Sequence, residues 1–319
     1  MNLRPDYAGH SYNGVATFGR QPLWTDIDNI NADVAVIGIP YENVMGYSGA
    51  RLGPRGIREG SSGARNEIVR GAYNCERDEV FFGPPWKLVD CNDVPICGSD
   101  VEPSFSYIRD WVRRAARSKA LLVFLGGDHA VTVPVVEAME ERGPFGIIQI
   151  DAHLDWSATR ERPLGHEAPF RRCSEMKHVL GMAQLGIRYS THSSKSDYID
   201  ARNYGSVILS PREMRSLGLR GVLDRIPKFD RYYVSIDIDS MDPSIAPGTG
   251  SPTHGGLFYD ETRDLIEGIA GLGEIVGFDL VEVAPPLDPT PITNRLAARI
   301  ILDFIGFILK RRKPVAVGT

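Results

Sequence analysis

Short apolar, β-branched runs recur along the chain: Val34 to Ile39, Leu88 to Val89, Leu121 to Leu125, Ile147 to Ile150, Met182 to Ile187, Val207 to Leu209, Tyr232 to Ile236 and Ile275 to Leu280. Most lack clean apolar/polar alternation, the pattern of strands covered on both faces. Between them lie stretches with apolar residues at helical spacing, clearest at Ser104 to Lys119, Val131 to Arg142, Asp260 to Gly271 and Asn294 to Leu309. Strand-then-helix repetition predicts an α/β fold, a parallel sheet sandwiched by helices. No internal repeat, low-complexity segment or long Pro/Gly/Ser linker divides the chain, so a single domain over residues 1–319 is expected. Ligands of an open parallel sheet gather beyond the carboxyl ends of its strands. Residues that do chemistry should therefore fall just after the apolar runs.

They do. Leu121 to Leu125 leads into Gly126-Gly127-Asp128-His129, where paired glycines let the backbone turn and aim His129 over the sheet end. Ile147 to Ile150 leads into Asp151-Ala152-His153-Leu154-Asp155. In extended backbone, positions two apart project to one side, so these three polar residues can face a common point. Tyr232 to Ile236 leads into Asp237-Ile238-Asp239 with the same alternation. The Asp242-Pro243 pair beyond it reads as a turn initiator. His129, Asp151, His153, Asp155, Asp237 and Asp239 together offer four carboxylates and two imidazoles at three strand ends. Burying that much negative charge without cations is costly. Four carboxylates balance two divalent ions, and carboxylates can bridge ions about 3.5–4 Å apart. Hard oxygen donors with nitrogen and no thiolate favour two Mn²⁺, with Ni²⁺ or Co²⁺ as substitutes.

Composition narrows the partners. With 36 basic and 41 acidic residues, spread along the chain, the formal charge is −5, and no footprint for nucleic acid is present. A small substrate is expected. No basic stretch precedes an apolar segment at the start, and no run approaches the roughly 18 apolar residues of a spanning helix, so the reading is a cytoplasmic protein with no membrane contact. Cys75, Cys91, Cys97 and Cys173 show no C-x-x-C spacing and read as scattered thiols. His10, His178, His192 and His254 have no ligand-like company and read as structural or exposed.

The three clusters, in this order, resemble the metal motifs of the ureohydrolase family, the arginases, agmatinases and guanidino-acid hydrolases. The segment from Ser48 to Arg58, Ser-Gly-Ala-Arg-Leu-Gly-Pro-Arg-Gly-Ile-Arg, looks like the family's N-terminal loop segment. The resemblance implies a three-layer α/β/α fold around an eight-stranded parallel sheet, assembled as a homotrimer or homohexamer. It implies His129 and Asp155 on one metal, His153 and Asp239 on the other, with Asp151 and Asp237 bridging. It also implies that a guanidino compound is cleaved to urea and an amine by a metal-bridging hydroxide. Asp155 would accept the hydroxide's proton, Glu282 would bind the guanidinium, and His166 would shuttle a proton to the leaving amine.

Physical chemistry supports these roles. A guanidinium carbon is a poor electrophile, and metal coordination lowers the pKa of water from 15.7 towards about 7. A carboxylate such as Glu282 suits the planar cationic head, and an imidazole such as His166 titrates near operating pH. One departure concerns specificity. Many agmatinase-like relatives read His-Gly-Thr where this chain reads His166-Glu167-Ala168. If Glu167 faces the pocket, it favours a cationic or neutral substrate tail; otherwise it points to solvent or pairs with Arg171. Agmatine and guanidino acids such as 4-guanidinobutanoate are the first candidate substrates, followed by an unusual small or alkylated guanidine. Loops Tyr41 to Ser48 and Leu164 to Pro169 are expected to read the tail. Within enzymes the alternative is a deacetylase-like or formimino-group hydrolase. Outside them it is a non-catalytic subunit of a hetero-oligomer, against which the presence of all six ligands argues.

Overall fold

The computed structural model describes residues 14–43, 49–98, 100–158, 164–188 and 193–312. Its strands are β1 (Val34–Ile39), β2 (Ala72–Asn74), β3 (Glu79–Phe81), β4 (Leu88–Asp93), β5 (Leu121–Gly126), β6 (Phe145–Ile150), β7 (Val179–Leu185), β8 (Val207–Leu209), β9 (Arg231–Asp237) and β10 (Glu274–Val281). Its helices are α1 (Gly53–Gly60), α2 (Arg65–Arg70), α3 (Val101–Ala116), α4 (Thr132–Ala138), α5 (Pro169–Ser174), α6 (Lys195–Tyr204), α7 (Pro211–Arg225), α8 (Tyr259–Ile269) and α9 (Ile292–Leu309). Among the described residues, eight strands form one sheet in the order β4-β1-β5-β10-β9-β6-β7-β8, paired in parallel throughout. A small antiparallel hairpin, β2–β3, lies apart.

Two apolar layers flank the sheet. Residues of α1, α2, α7, α8 and α9 pack on one face with Val34, Val36, Val123, Ile148 and Val234. Residues of α3, α4, α5 and α6 pack on the other with Ala35, Ile37, Leu122, Phe124 and Ile147. Neighbouring residues of one strand thus serve opposite layers, which is why the strand runs are apolar without alternation. The expected α/β/α sandwich around eight parallel strands is the observed architecture. No helix of the described residues is long and apolar enough to cross a membrane.

Several local features differ from the sequence expectation. The stretch Val131 to Arg142 is three pieces, a 3₁₀ turn at His129–Val131, the α-helix α4, and a second 3₁₀ turn at Met139–Arg142. Helices α6 and α7 have weak amphipathic signatures, and α7 holds Gly218 at φ 67° inside it, so neither shows in the hydrophobic periodicity. The segment expected to be a loop from Ser48 to Arg58 enters helix α1 at Gly53, and the helix runs on to Gly60. Its glycines serve close packing: a Cβ on Gly53 would stand 2.7 Å from the Val283 carbonyl oxygen, and one on Gly60 would stand 2.5 Å from that of Asn294. Asp242 is a turn anchor, as expected, accepting N–H bonds from Ser244, Gly255 and Gly256 at 3.1, 3.0 and 3.2 Å.

Candidate metal centre

Three polar clusters leave β5, β6 and β9 at their carboxyl ends. They do not sit on three successive strands, because β10 lies between β5 and β9. That strand delivers Glu282 into the same row of loops. The turn after β5 is tight: a Cβ on Gly127 would lie 1.8 Å from the carbonyl oxygen of Tyr41, and the same oxygen accepts the N–H of Asp128 at 3.0 Å. Only glycine allows that approach.

The six residues converge. His129 Nδ1 lies 3.1 Å from Asp151 Oδ2, 3.0 Å from Asp155 Oδ2 and 3.1 Å from Asp237 Oδ2. His153 Nδ1 lies 2.8 Å from Asp239 Oδ2 and 3.7 Å from Asp151 Oδ1. Exposure is 6% or less for every one of them. His129, Asp151 and Asp237 form one group able to surround an ion, and Asp151, His153 and Asp239 form a second, so Asp151 is common to both. Glu282 joins through Oε1, which accepts the His129 backbone N–H at 2.7 Å. Asp155 and Glu282 both hold left-handed backbone, at φ 51° and 62°. Non-glycine residues rarely adopt that region, and here it turns two carboxylates toward the centre.

A row of polar residues one pleat below supports the donors. Asp279, Ser235, Gln149 and Gln184 are register partners across β10, β9, β6 and β7, and all four are fully buried. Ser235 Oγ donates to Asp279 Oδ1 at 2.6 Å and lies 2.9 Å from His129 Nε2. Tyr233 and Thr132 hydroxyls donate to Asp279 Oδ2 at 2.7 and 2.9 Å. On the other side, Ser206 Oγ donates to Gln184, Gln184 donates to Gln149, and Gln149 Nε2 donates to Asp151 Oδ2, at 2.8, 2.6 and 2.6 Å. Sequence reading missed these residues. Their signal was present: a polar side chain inside a strand buried on both faces must have a partner, since leaving it unpaired costs about 1–3 kcal/mol.

The electrostatics call for cations. Burial, with Asp151 nearby, pushes Asp155 up to about 7. Burial, with Asp239 and Asp151 nearby, holds Asp237 well above the usual carboxylate range. Burial alone would lower His153, yet Asp239, Asp151 and Asp155 raise it to about 11. Burial would also lower His129, and Asp151, Asp155 and Asp237 override it. Without an ion, the compensation falls to protons on the two imidazoles and on Asp155 and Asp237 themselves. His129 Nδ1 is nevertheless buried without a well-formed hydrogen bond, although three carboxylate oxygens surround it. An orphaned nitrogen amid oxygens suits a divalent ion better than a proton, and the donor set fits two such ions.

His166 stands outside this cluster, its Nδ1 3.4 Å from Glu167 Oε2. Its segment is tied to the centre by backbone, Phe170 N–H donating to the Asp155 carbonyl at 3.2 Å and Ser157 N–H to the Glu167 carbonyl at 3.0 Å. Glu167 neither points to solvent nor pairs with Arg171; it faces His166, and Arg171 pairs with Asp200 at 2.9 Å. His178 is structural, its Nε2 2.9 Å from the Val136 carbonyl oxygen, and His254 is exposed. The four cysteines are free. His10, His192 and most of the loop Tyr41 to Ser48 lie outside the described residues.

The Arginase family matches residues 32–306 of the chain. The chain belongs to the arginase family. It is 33% identical over 305 residues to guanidinopropionase of Pseudomonas aeruginosa, covering 92% of each protein. Proclavaminate amidino hydrolase from Streptomyces clavuligerus superposes with a TM-score of 0.80 at 30% identity, covering 95% of this chain and 100% of that one. Formimidoylglutamase from Bacillus subtilis superposes with a TM-score of 0.83 at 27% identity, covering 96% of both. The chain is thus an arginase-family ureohydrolase whose relatives include named hydrolases of guanidino compounds.

Proposed function

We propose that this chain hydrolyses a guanidino compound to urea and an amine. The observation that carries the reading is the convergence of two imidazoles and four carboxylates, all buried, at the strand ends of an arginase-family sheet. His129 and Asp155 would hold one divalent ion and His153 and Asp239 the other, with Asp151 and Asp237 shared between them, and with Mn²⁺ as first choice and Ni²⁺ or Co²⁺ as substitutes. Bound there, the ions would lower the pKa of coordinated water towards about 7, supplying a nucleophile near neutral pH.

The chain's own residues do the rest. Glu282, its Oε1 held by the His129 N–H, offers its carboxylate to the planar guanidinium head. Asp155 Oδ2 takes the proton of the attacking water. His166, beside Glu167, returns a proton to the departing nitrogen, and an imidazole suits this near neutral pH. Water adds at the guanidinium carbon, one C–N bond breaks, and urea leaves with the protonated amine, so atoms and charge balance. Agmatine and guanidino acids such as 4-guanidinobutanoate are the first substrates to try, followed by alkylated guanidines. Four free cysteines fit a reducing, cytoplasmic setting, and a homotrimer or homohexamer of single-domain chains is the proposed assembly.

The test is urea release from agmatine, 4-guanidinobutanoate, 3-guanidinopropanoate and an alkylguanidine, with Mn²⁺, Ni²⁺ or Co²⁺ added. Urea from at least one is expected; none from any would overturn the reading. The close superposition on formimidoylglutamase favours one second reading, cleavage of a formimino group. Formamide from a formimino substrate, with no urea from the guanidines, would establish that instead.

A further inference from the structure

Arg188 lies three residues beyond the end of β7, and its guanidinium is devoted to backbone. Nη2 donates to the carbonyls of Thr253, Asp239 and Met241 at 2.6, 2.7 and 3.3 Å. Nη1 donates to those of Gly186 and Ser240 at 3.2 and 3.3 Å, and Nε to those of Thr253 and His254 at 3.2 and 3.1 Å. Its backbone N–H donates to the Ala152 carbonyl at 3.0 Å. One residue thereby fastens together the loop after β6, the turn after β9 and the segment around Thr253. Those three pieces surround His153. Asp239 Oδ2 is 2.8 Å from His153 Nδ1, Asp239 Oδ1 accepts the Ala152 N–H at 3.2 Å, and Thr253 Oγ1 is 3.4 Å from His153 Nε2.

The other half of the centre is held differently. His129, which lines only the other position, is oriented from within the sheet by Ser235 and Asp279. Gln149 holds the shared Asp151 and also donates to the His153 carbonyl at 3.0 Å, so the sheet supports the backbone of His153 while Arg188 gathers the loops around its ring. Strand-borne supports are fixed by the sheet's own ladder. The turn at Asp239 and the segment at Thr253 are loops, and a planar guanidinium with five fixed N–H directions is what binds their carbonyls to one another. A lysine ammonium has three donors on a flexible stem and cannot reproduce that pattern.

We infer that Arg188 is a positioning residue for one of the two ion positions, the one lined by His153 and Asp239, and that its removal weakens that position selectively. The inference rests on the two-ion reading above. The experiment titrates the full-length metal-free protein with Mn²⁺, following the electron paramagnetic resonance spectrum and the metal retained per chain, for the parent, Arg188→Lys, Arg188→Met and Thr253→Val. The parent is expected to bind two ions and show a spin-coupled pair. The Arg188 variants should bind the first ion as the parent does, require roughly ten- to a hundred-fold more Mn²⁺ for the second, and show an isolated-ion spectrum at limiting metal. Thr253→Val should weaken the second ion alone, by a smaller factor.

Circular dichroism of the metal-free proteins checks the fold. If Arg188→Met does not fold, the milder Arg188→Lys decides: selective weakening of the second ion supports the inference, and parallel or absent weakening overturns it. Among folded Arg188 variants, equal loss of both ions, or unchanged binding of both, overturns it. A parent that binds fewer than two ions overturns the two-ion reading and the inference with it.

Discussion

His129 is aimed by a neighbour whose own polar groups are satisfied. Ser235 gives its hydroxyl proton to Asp279, so its oxygen is left to accept from His129 Nε2. Once an ion displaces the second proton, the remaining imidazole proton would stay on Nε2 and the lone pair on Nδ1 would face Asp151, Asp155 and Asp237. Ser235→Ala should remove this orientation and leave both Asp279 and His129 short of a partner. The expected loss is about ten- to a hundred-fold in metal affinity, read by competition with a chelator, and unchanged affinity would show that the relay does not orient the ligand. Removing a donor outright is harsher. Asp237→Asn or His129→Ala should abolish most urea release and lower metal content together, since no neighbour can replace the lost atom. Full activity at saturating substrate in either variant would show that the residue is not a ligand.

Elements are held in place by buried charge as well as apolar packing. Arg58, on α1, places Nε 2.8 Å from Asp90 Oδ2 and Nη1 2.5 Å from Asp93 Oδ1, clamping the helix to edge strand β4. Asp90 also accepts the backbone N–H of Phe18 at 2.6 Å, drawing the chain before β1 into the same cluster. Breaking a buried pair leaves an uncompensated charge, at a cost of about 3–5 kcal/mol. Arg58→Met should lower unfolding stability by that order in a denaturant titration, whereas a change within the scatter of a surface substitution would mean that Asp90 is solvated or protonated in the variant. Elements also differ in how readable they were. The strands announced themselves because burial on both faces demands apolar residues. Helix α1 did not, because its glycines serve contacts with Val283 and Asn294 that are far away in sequence.

For the whole molecule, metal, protons and stability are linked. In the ion-free chain His129 and His153 hold protons far above the usual imidazole range, and Asp155 and Asp237 above the usual carboxylate range. An ion must displace those protons, so loading releases them. The sign follows: higher pH favours the loaded form and acid favours the ion-free form. Apparent Mn²⁺ affinity should rise between about pH 6 and about pH 8, roughly tenfold per pH unit for each proton displaced, measured by calorimetry in buffers of different ionisation enthalpy. A pH-independent affinity with no proton release would contradict the linkage. Each ion at about a hundred times its dissociation constant should also stabilise the fold by about 2.7 kcal/mol, so chelation should lower the melting temperature.

The sequence by itself determined the fold class and picked out the six polar residues that converge, because both are local in their causes. A strand covered on both faces must be apolar, and residues two apart after its end share one side. The sequence also showed that four carboxylates need compensation. It did not determine what stands beside what. That β10 comes between β5 and β9 and that Asp279 reaches His129 through Ser235 are decided by strand order and register; that Arg171 turns to Asp200 and that Arg188 gathers carbonyls from three loops are decided by how the helices and loops pack on that sheet. The contact between Glu282 and His129 likewise joins residues 153 positions apart, and no local pattern encodes such a distance. Tertiary structure settles them because a buried polar atom must find its partner wherever the sheet has placed it.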